Sequence, residues 1–543
     1  MKYCKYLLYK ALKKYINIMN KKIDKGDSIM LKKKNYGNMI RIVGIIMIGL
    51  FVLVGNSKIN AQSRTPFTDL DAIIDYLDEA RGTLANPIIL PVRINLGNMT
   101  QADSGWQRLL IEIHNSGKPI ALDLSACTMN DTEFNPINTI STGKANIVSI
   151  ILPTSALSIR NGTKAGTYDN SSSAFNFFTE LREVVGINIT KIGIWAFGGY
   201  QPKTMLMGSS VTPNIKLLSV NFPRVTNIGD NAFIGCTGLT SVSFPLATNI
   251  GSDAFSSCTN LTMADIPRVT SIGWGAFYGC SSLVSANFPL ATSIGAYAFA
   301  DCTSLINVNF PLVTNMISII NGWTHCAVFM GCTSIVEVNF PEITTIGPES
   351  FSGCTNLKNV NFSKATTIIG SAFSNCTNLE IISFPLVTTI TAHRKFSDFG
   401  GSGTISTFAN CTNLINVNLP RVTSIGYYMF DGCTKLATLN IPRITSIGNN
   451  SFQNTGSTHL TITLGGGAPS LGTNIFNDVG TLKTVIVKRP EGVIGWEGDL
   501  PFNNLDTNNN WGNAFKGRGW TQSSNSYGRG NVNSNINLVI EEI

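Results

Sequence analysis

Apolar and polar positions along this chain recur on a 22-residue period. In Leu239-Thr240-Ser241-Val242-Ser243-Phe244, Val242 and Phe244 alternate with polar neighbours, as in a half-buried strand. Pro245 ends that strand because it cannot donate to the next ladder rung. Ile250-Gly251 makes a second inward contact and a turn, with Gly supplying φ > 0 cheaply. Ala254 and Phe255 are expected to fill a far wall as a helical turn, and Cys258 closes the unit. Cys236, Cys258, Cys280 and Cys302 mark successive copies, and Cys332, Cys354, Cys376, Cys411 and Cys433 mark further ones after interruptions.

A fixed period of this size predicts a solenoid, in which each unit buries its apolar face only by stacking on its neighbours. Degenerate copies extend the array upstream at 147–153 and 181–197 and downstream at 471–476 and 482–487. Stacked strands would pair into a parallel sheet at ~4.8 Å per turn, so about a dozen turns would run ~60 Å.

The recurring cysteine admits three readings. Disulfides between neighbouring turns are conceivable on distance, but the side chains should point in parallel, and nine is an odd number. Metal binding wants clustered Cys or His ligands, and no such spacing is present. A small buried residue at a sharp corner accounts for the ladder most simply.

The string Leu-x-x-Val-x-Phe-Pro-x-x-Thr-x-Ile-Gly-x-x-Ala-Phe-x-x-Cys resembles the BspA-type leucine-rich repeat across about residues 145–490. The resemblance implies a leucine-rich repeat solenoid: a parallel β-sheet with short helical turns, an α/β N-terminal cap and a β-rich C-terminal cap. It also implies a surface or secreted protein of adhesive character, similar to proteins that bind host matrix proteins or other bacteria and engage innate immune receptors. The motif itself is structural and assigns no binding residue.

Residues 62–145 are read as the N-terminal cap, 146–490 as the array and 491–543 as the C-terminal cap. Leu70, Ile73, Ile74 and Leu77, and likewise Trp106, Leu109, Leu110 and Ile113, have the i, i+3, i+4, i+7 spacing of amphipathic helices. The runs 87–94 and 121–124 read as strands joining the sheet, and 536–540 as a closing strand. Trp496, Trp511 and Trp520 in the last segment fit a sealed cap or, alternatively, carbohydrate binding.

Charge changes the picture only at the start of the chain. The formal net charge of +8 would point to an anionic partner. Twelve of the 40 basic residues lie within residues 1–41 and another is Lys58. The remainder holds 27 basic and 30 acidic residues, which removes the case for nucleic acid. The basic stretch 32–41, the apolar run 42–54 and Ala61 read as a cleaved signal peptide, with Met30 an alternative start. Thirteen apolar residues are short for a membrane span, so none is expected in the mature chain.

Catalytic signals are weak. His325 adjoins Cys326 without a third orienting group. Gly400-Gly401-Ser402-Gly403 lacks the strand-then-helix context of a phosphate loop. No enzyme, metal or cofactor is expected. Two surfaces remain as candidates. The strand position before each Phe carries Asn287, Asn309, Asn339, Asn361, Asn418 and Asn440. Such a row would bind a glycan or peptide backbone, or its amides would bond one another along the ladder. The second surface is the insertions, between Pro311 and Phe329, Pro385 and Phe408, and Pro153 and Phe175, with a fourth at 198–214. The first three are expected on one side of the solenoid, with Met316–Cys326 and 391–404 as removable loop. They bear Trp323, Arg394 and Phe396, and grouped insertions either mark a binding face or reflect drift at tolerant sites. The expected function is an exported, non-enzymatic adhesion or interaction protein for an extracellular protein or glycan. The alternative is a structural component of the cell envelope.

Overall fold

The computed structural model describes residues 65–489 apart from 138–141, 163–172, 176, 199–215, 321–322, 392–405, 456–457, 466–468, 472–474 and 477–483, together with strands at 520–523, 526–529 and 537–542. All described secondary structure belongs to one unit, Pro66–Ile543. The segment expected to be a signal peptide, with Ala61, lies outside the described residues.

Two helices lie near the start of the described residues. Helix α1 (Leu70–Glu79) starts where Asp69 caps the backbone N–H of Ala72 at 2.8 Å, and it buries Ile73 and Leu77. Helix α2 (Gly105–Ser116) is capped by Ser104 and ends at Gly117, whose φ of 60° suits glycine. Its Trp106, Leu109, Leu110 and Ile113 are fully buried, on the face expected from their spacing. The strands Ile88–Pro91 and Ile120–Asp123 pair in parallel with each other and then with Ile147–Ile151, so the cap continues directly into the array.

Each repeat contributes two short strands. The first carries the Val-x-Phe pattern, as at Ser241–Ser243 paired with Met263–Asp265. The second holds the Thr-x-Ile segment, and it pairs through seven turns without a break, from Glu133–Phe134 to Ser293–Ile294. The far wall is a run of tight turns rather than a helix. Phe233 N donates to Ala254 O at 2.8 Å, Phe255 to Ala276 at 2.7 Å and Phe277 to Ala298 at 2.8 Å, so this side is also laddered from turn to turn.

Two wall positions per repeat take φ > 0. One falls on Asn231, Asp253, Gly275 and Tyr297, and the other on Gly235, Ser257, Gly279 and Asp301. The Gly of Ile-Gly is not among them, which corrects the expected reason for that residue. It is required by close approach. A Cβ on Gly273 would stand 2.5 Å from Gly251 C, and one on Gly295 would stand 2.5 Å from Gly273 C.

Aromatic rings form the core column. Phe233, Phe255, Phe277 and Phe299 stack with centroids 5.2 Å apart and planes within 10°. The stack continues turn by turn from Phe175 to Phe476. At the other end of the array, Asn537–Glu542 pairs in parallel with Thr484–Arg489, so the closing strand extends the sheet.

The insertion between Pro311 and Phe329 is more integrated than a loop. Met316 and Cys326 are buried, and Cys326 O accepts from Tyr297 N at 2.7 Å. Met316 stands where other repeats have the Ile of Ile-Gly, so the removable part is Ile317–His325. Within it, Ser318–Ile320 and Trp323–His325 form an antiparallel hairpin.

Candidate binding surfaces

The interior leaves little chemistry to offer. All eleven described cysteines are free and buried. In nine of them the thiol donates to the Phe carbonyl of the preceding turn, at 3.0–3.4 Å, from Cys236 to Phe197 through Cys433 to Phe408. Burial pushes these thiols upward, Cys258 and Cys354 to about 12. They are therefore neither thiolates nor nucleophiles at neutral pH. Cys326, the partner considered for His325, bonds Ser350 Oγ at 3.0 Å and is raised by burial to about 11. Among the described residues, no group of three or more His, Cys, Asp or Glu is placed to hold a metal ion.

The asparagine row lies on the first strand, with Asn287, Asn309, Asn339 and Asn361 exposed and Asn418 and Asn440 half-buried. Its amides bond each other in short runs. Asn309 Nδ2 donates to Asn287 Oδ1 at 2.8 Å, Asn361 to Asn339 at 3.1 Å, and Asn440 to Asn418 at 2.8 Å. Asn418 in turn donates to Ser383 Oγ at 2.9 Å. The runs stop between Asn309 and Asn339, where the first insertion intervenes. A mutually bonded amide has part of its capacity committed, which weakens the row as a ligand site.

Of the insertion residues, Trp323 lies in a strand of the hairpin, whereas Arg394 and Phe396 fall outside the described residues. Five repeats expose an aliphatic residue just before the first strand: Leu218, Val284, Ile306, Val336 and Ile415.

The turn wall holds a cluster that the sequence reading missed. Trp274 meets Tyr297 edge-on at 5.6 Å, both half-buried. Tyr278 hydrogen-bonds Asp301 and is raised to about 12, chiefly by burial. Asp230 is exposed, and one of its oxygens accepts from Ser252 N at 2.8 Å. Asp253 is 6 % exposed, and burial together with the Asp230 charge raises its carboxyl to about 7. These residues occupy variable positions of the repeat, so only their placement on adjacent turns draws them together.

Stacked parallel strands with a hydrogen-bonded turn wall define this protein as a leucine-rich repeat solenoid. A family model described as the BspA type leucine rich repeat region matches residues 207–322, 325–399 and 404–496, in six copies. These segments make up more than half of the chain, which belongs to the BspA-type leucine-rich repeat family. No curated protein matches the sequence. Among solved structures it is similar to a leucine-rich repeat protein from Bacteroides ovatus ATCC 8483, at 23 % identity over 66 % of this chain and 86 % of that one, with a TM-score of 0.46. It is also similar to a leucine rich cell surface protein from Faecalibacterium prausnitzii A2-165, at 20 % identity over 63 % and 79 %, TM-score 0.32. An internalin from Listeria monocytogenes str. 4b F2365 is similar at 11 % identity over 64 % and 82 %, TM-score 0.24. No helix among the described residues is long and apolar enough to cross a membrane.

Proposed function

We propose that the protein is exported and acts at the cell surface as a non-enzymatic interaction module for an extracellular protein or glycan. The division between inward and outward positions carries this reading. Inward Phe, Cys and Ile positions repeat almost unchanged and use their bonding capacity on neighbouring turns. Outward positions change from turn to turn, as at Asp230, Ser252 and Trp274 in successive repeats. A solenoid built this way presents an extended surface whose composition is free of folding constraints. The basic-then-apolar leader and Ala61 support export, with a mature start near Gln62.

A scaffold role is the second reading. The asparagine amides that satisfy one another favour it, since the sheet face then needs no ligand. Purified mature chain tested against an array of matrix proteins and glycans separates the two. Saturable binding supports the interaction module, and flat signals across the array support the scaffold. N-terminal sequencing of exported material tests the leader, because recovery of an intact Met1 or Met30 would mean a retained anchor.

A further inference from the structure

The wall segments 229–239, 251–261, 273–283, 295–305, 326–335 and 347–357 carry Asp230, Asp253, Asp301 and Glu349 and no Lys, Arg or His. The bases of the same turns, Arg224, Arg268, Lys358 and Lys364, all lie on the strand side or just after Pro. The wall segments of these repeats therefore carry negative charge on four of six turns and no positive charge.

Asp253 stands out within it. The residue is 6 % exposed, and burial and the Asp230 charge, with no hydrogen bond, act on its carboxyl. Its Oδ1 leans along the stack over Gly275, 2.4 Å from where a Cβ would stand, so only glycine leaves room for it there. One turn earlier in the same column, Asn231 Oδ1 is buried without a partner. Asp230, next to Asn231 in the chain, is exposed. On the next turn, Trp274 O accepts from Asp253 N at 2.7 Å, and the Trp274 ring meets that of Tyr297 edge-on at 5.6 Å. The buried Asn231 oxygen, the Asp253 carboxyl without a hydrogen bond and the half-buried rings of Trp274 and Tyr297 all favour a positive charge.

We propose that the turn wall from Asp230 to Asp301 is a docking face for a cationic segment of a protein partner, with a lysine ammonium seated at Asp230 and Asp253 beside Trp274 and Tyr297. This rests on the reading of the chain as an interaction module and names the chemistry of its partner. Calcium is the poorer fit. It takes six to eight oxygens, whereas this site supplies two carboxylates and one amide. An ammonium has three donors for those oxygens and is attracted by ring faces.

The test is fluorescence anisotropy of the full mature chain with a labelled (Gly-Lys)6 peptide at low salt. The same peptide with acetylated lysines and CaCl2 alone serve as companion probes. The expected result is saturable peptide binding that acetylation abolishes. The double change Asp230→Asn with Asp253→Asn should weaken it at least ten-fold, as should Trp274→Ala. Undiminished binding by these variants, equal binding of the acetylated peptide, or calcium binding that the same variants remove without peptide competition would overturn the proposal. Should the variants melt early, the acetylated peptide still decides on the folded parent. If the parent binds surface ligands that the double variant also binds equally well, this docking face fails while the interaction role stands. If the parent binds neither ligands nor peptide, both fail.

Discussion

The thiol of Cys280 donates to the carbonyl of Phe255 at 3.1 Å, and the same carbonyl accepts from Cys258 N at 3.1 Å. Both lone pairs of a buried oxygen are thereby used, one within the turn and one from the next. This explains why the corner takes a small residue with a donor. Cys280→Ala removes that donor and leaves a small void, so it should lower stability by about 1–3 kcal/mol in denaturant unfolding.

Thiol reactivity follows from the same contacts. At pH 8 the native mature chain should react negligibly with a thiol reagent, because burial holds its cysteines protonated. Eleven thiols should appear on denaturation. Detection of disulfides by mass spectrometry without reduction would contradict the corner assignment.

The phenylalanine column predicts large core penalties. Phe299 touches rings above and below at 5.2 and 5.6 Å, with Phe310 at 5.6 Å and Phe288 at 5.9 Å. Phe299→Ala should cost ~3–5 kcal/mol, read as a shift in the unfolding midpoint.

Two glycines should respond differently to substitution. Gly273→Ala drives a Cβ into the backbone of Gly251 and should cost ~1–3 kcal/mol. Gly279 has φ of 67°, a Cβ there would make only ordinary contacts, nearest Ser257 Oγ at 3.8 Å, and Asn375 and Asn410 occupy the equivalent position with φ of 60°. Gly279→Asn should therefore cost less than ~1 kcal/mol.

Asp253 predicts a pH dependence. Its carboxyl is raised from 3.8 to about 7, first by burial and then by Asp230, with no base on the adjacent wall turns. The folded state therefore binds the proton more tightly than the unfolded one. Its contribution to stability is greatest at acid pH and falls as pH rises from about 4 through 7. Asp253→Asn keeps the shape and tolerates the φ of 51°. Relative to the parent it should gain ~1–3 kcal/mol between pH 5 and 8.5, at about 1.4 kcal/mol per pKa unit with allowance for partial wetting. Parallel pH–stability curves for the two chains would contradict this.

Replacing Ile317–His325 by a single Gly restores the 22-residue spacing while keeping buried Met316 and Cys326. Surface insertions cost little loop-closure entropy, so stability should change by ~1 kcal/mol or less.

The periodic part of the fold was legible because each inward residue answers to the same neighbours in every turn. Val242, Phe244, Phe255 and Cys258 could be placed from spacing alone, as could both cap helices. The role of Gly251 could not, since close approach to Gly229 and Asp230 is a relation between turns that one repeat does not reveal. Left-handed positions were hidden because Tyr297 and Asp301 are atypical there. The acidic-aromatic wall was missed for a related reason. Asp230, Asp253, Trp274 and Tyr297 are each unremarkable substitutions at variable positions, and only stacking makes them neighbours.

Inward columns hold the turns together in this account and leave the outward faces free for recognition. Hydrogen exchange of the mature chain, resolved to single amides, tests that directly. The wall amides of Phe255, Phe277 and Phe299 donate to the next turn at 2.7–2.9 Å, as firmly as the strand amides do. They should exchange as slowly as Gly251 and Gly273 of the second ladder and open with them in one cooperative unit. Wall amides that exchange at loop rates while the strands stay protected would contradict the account.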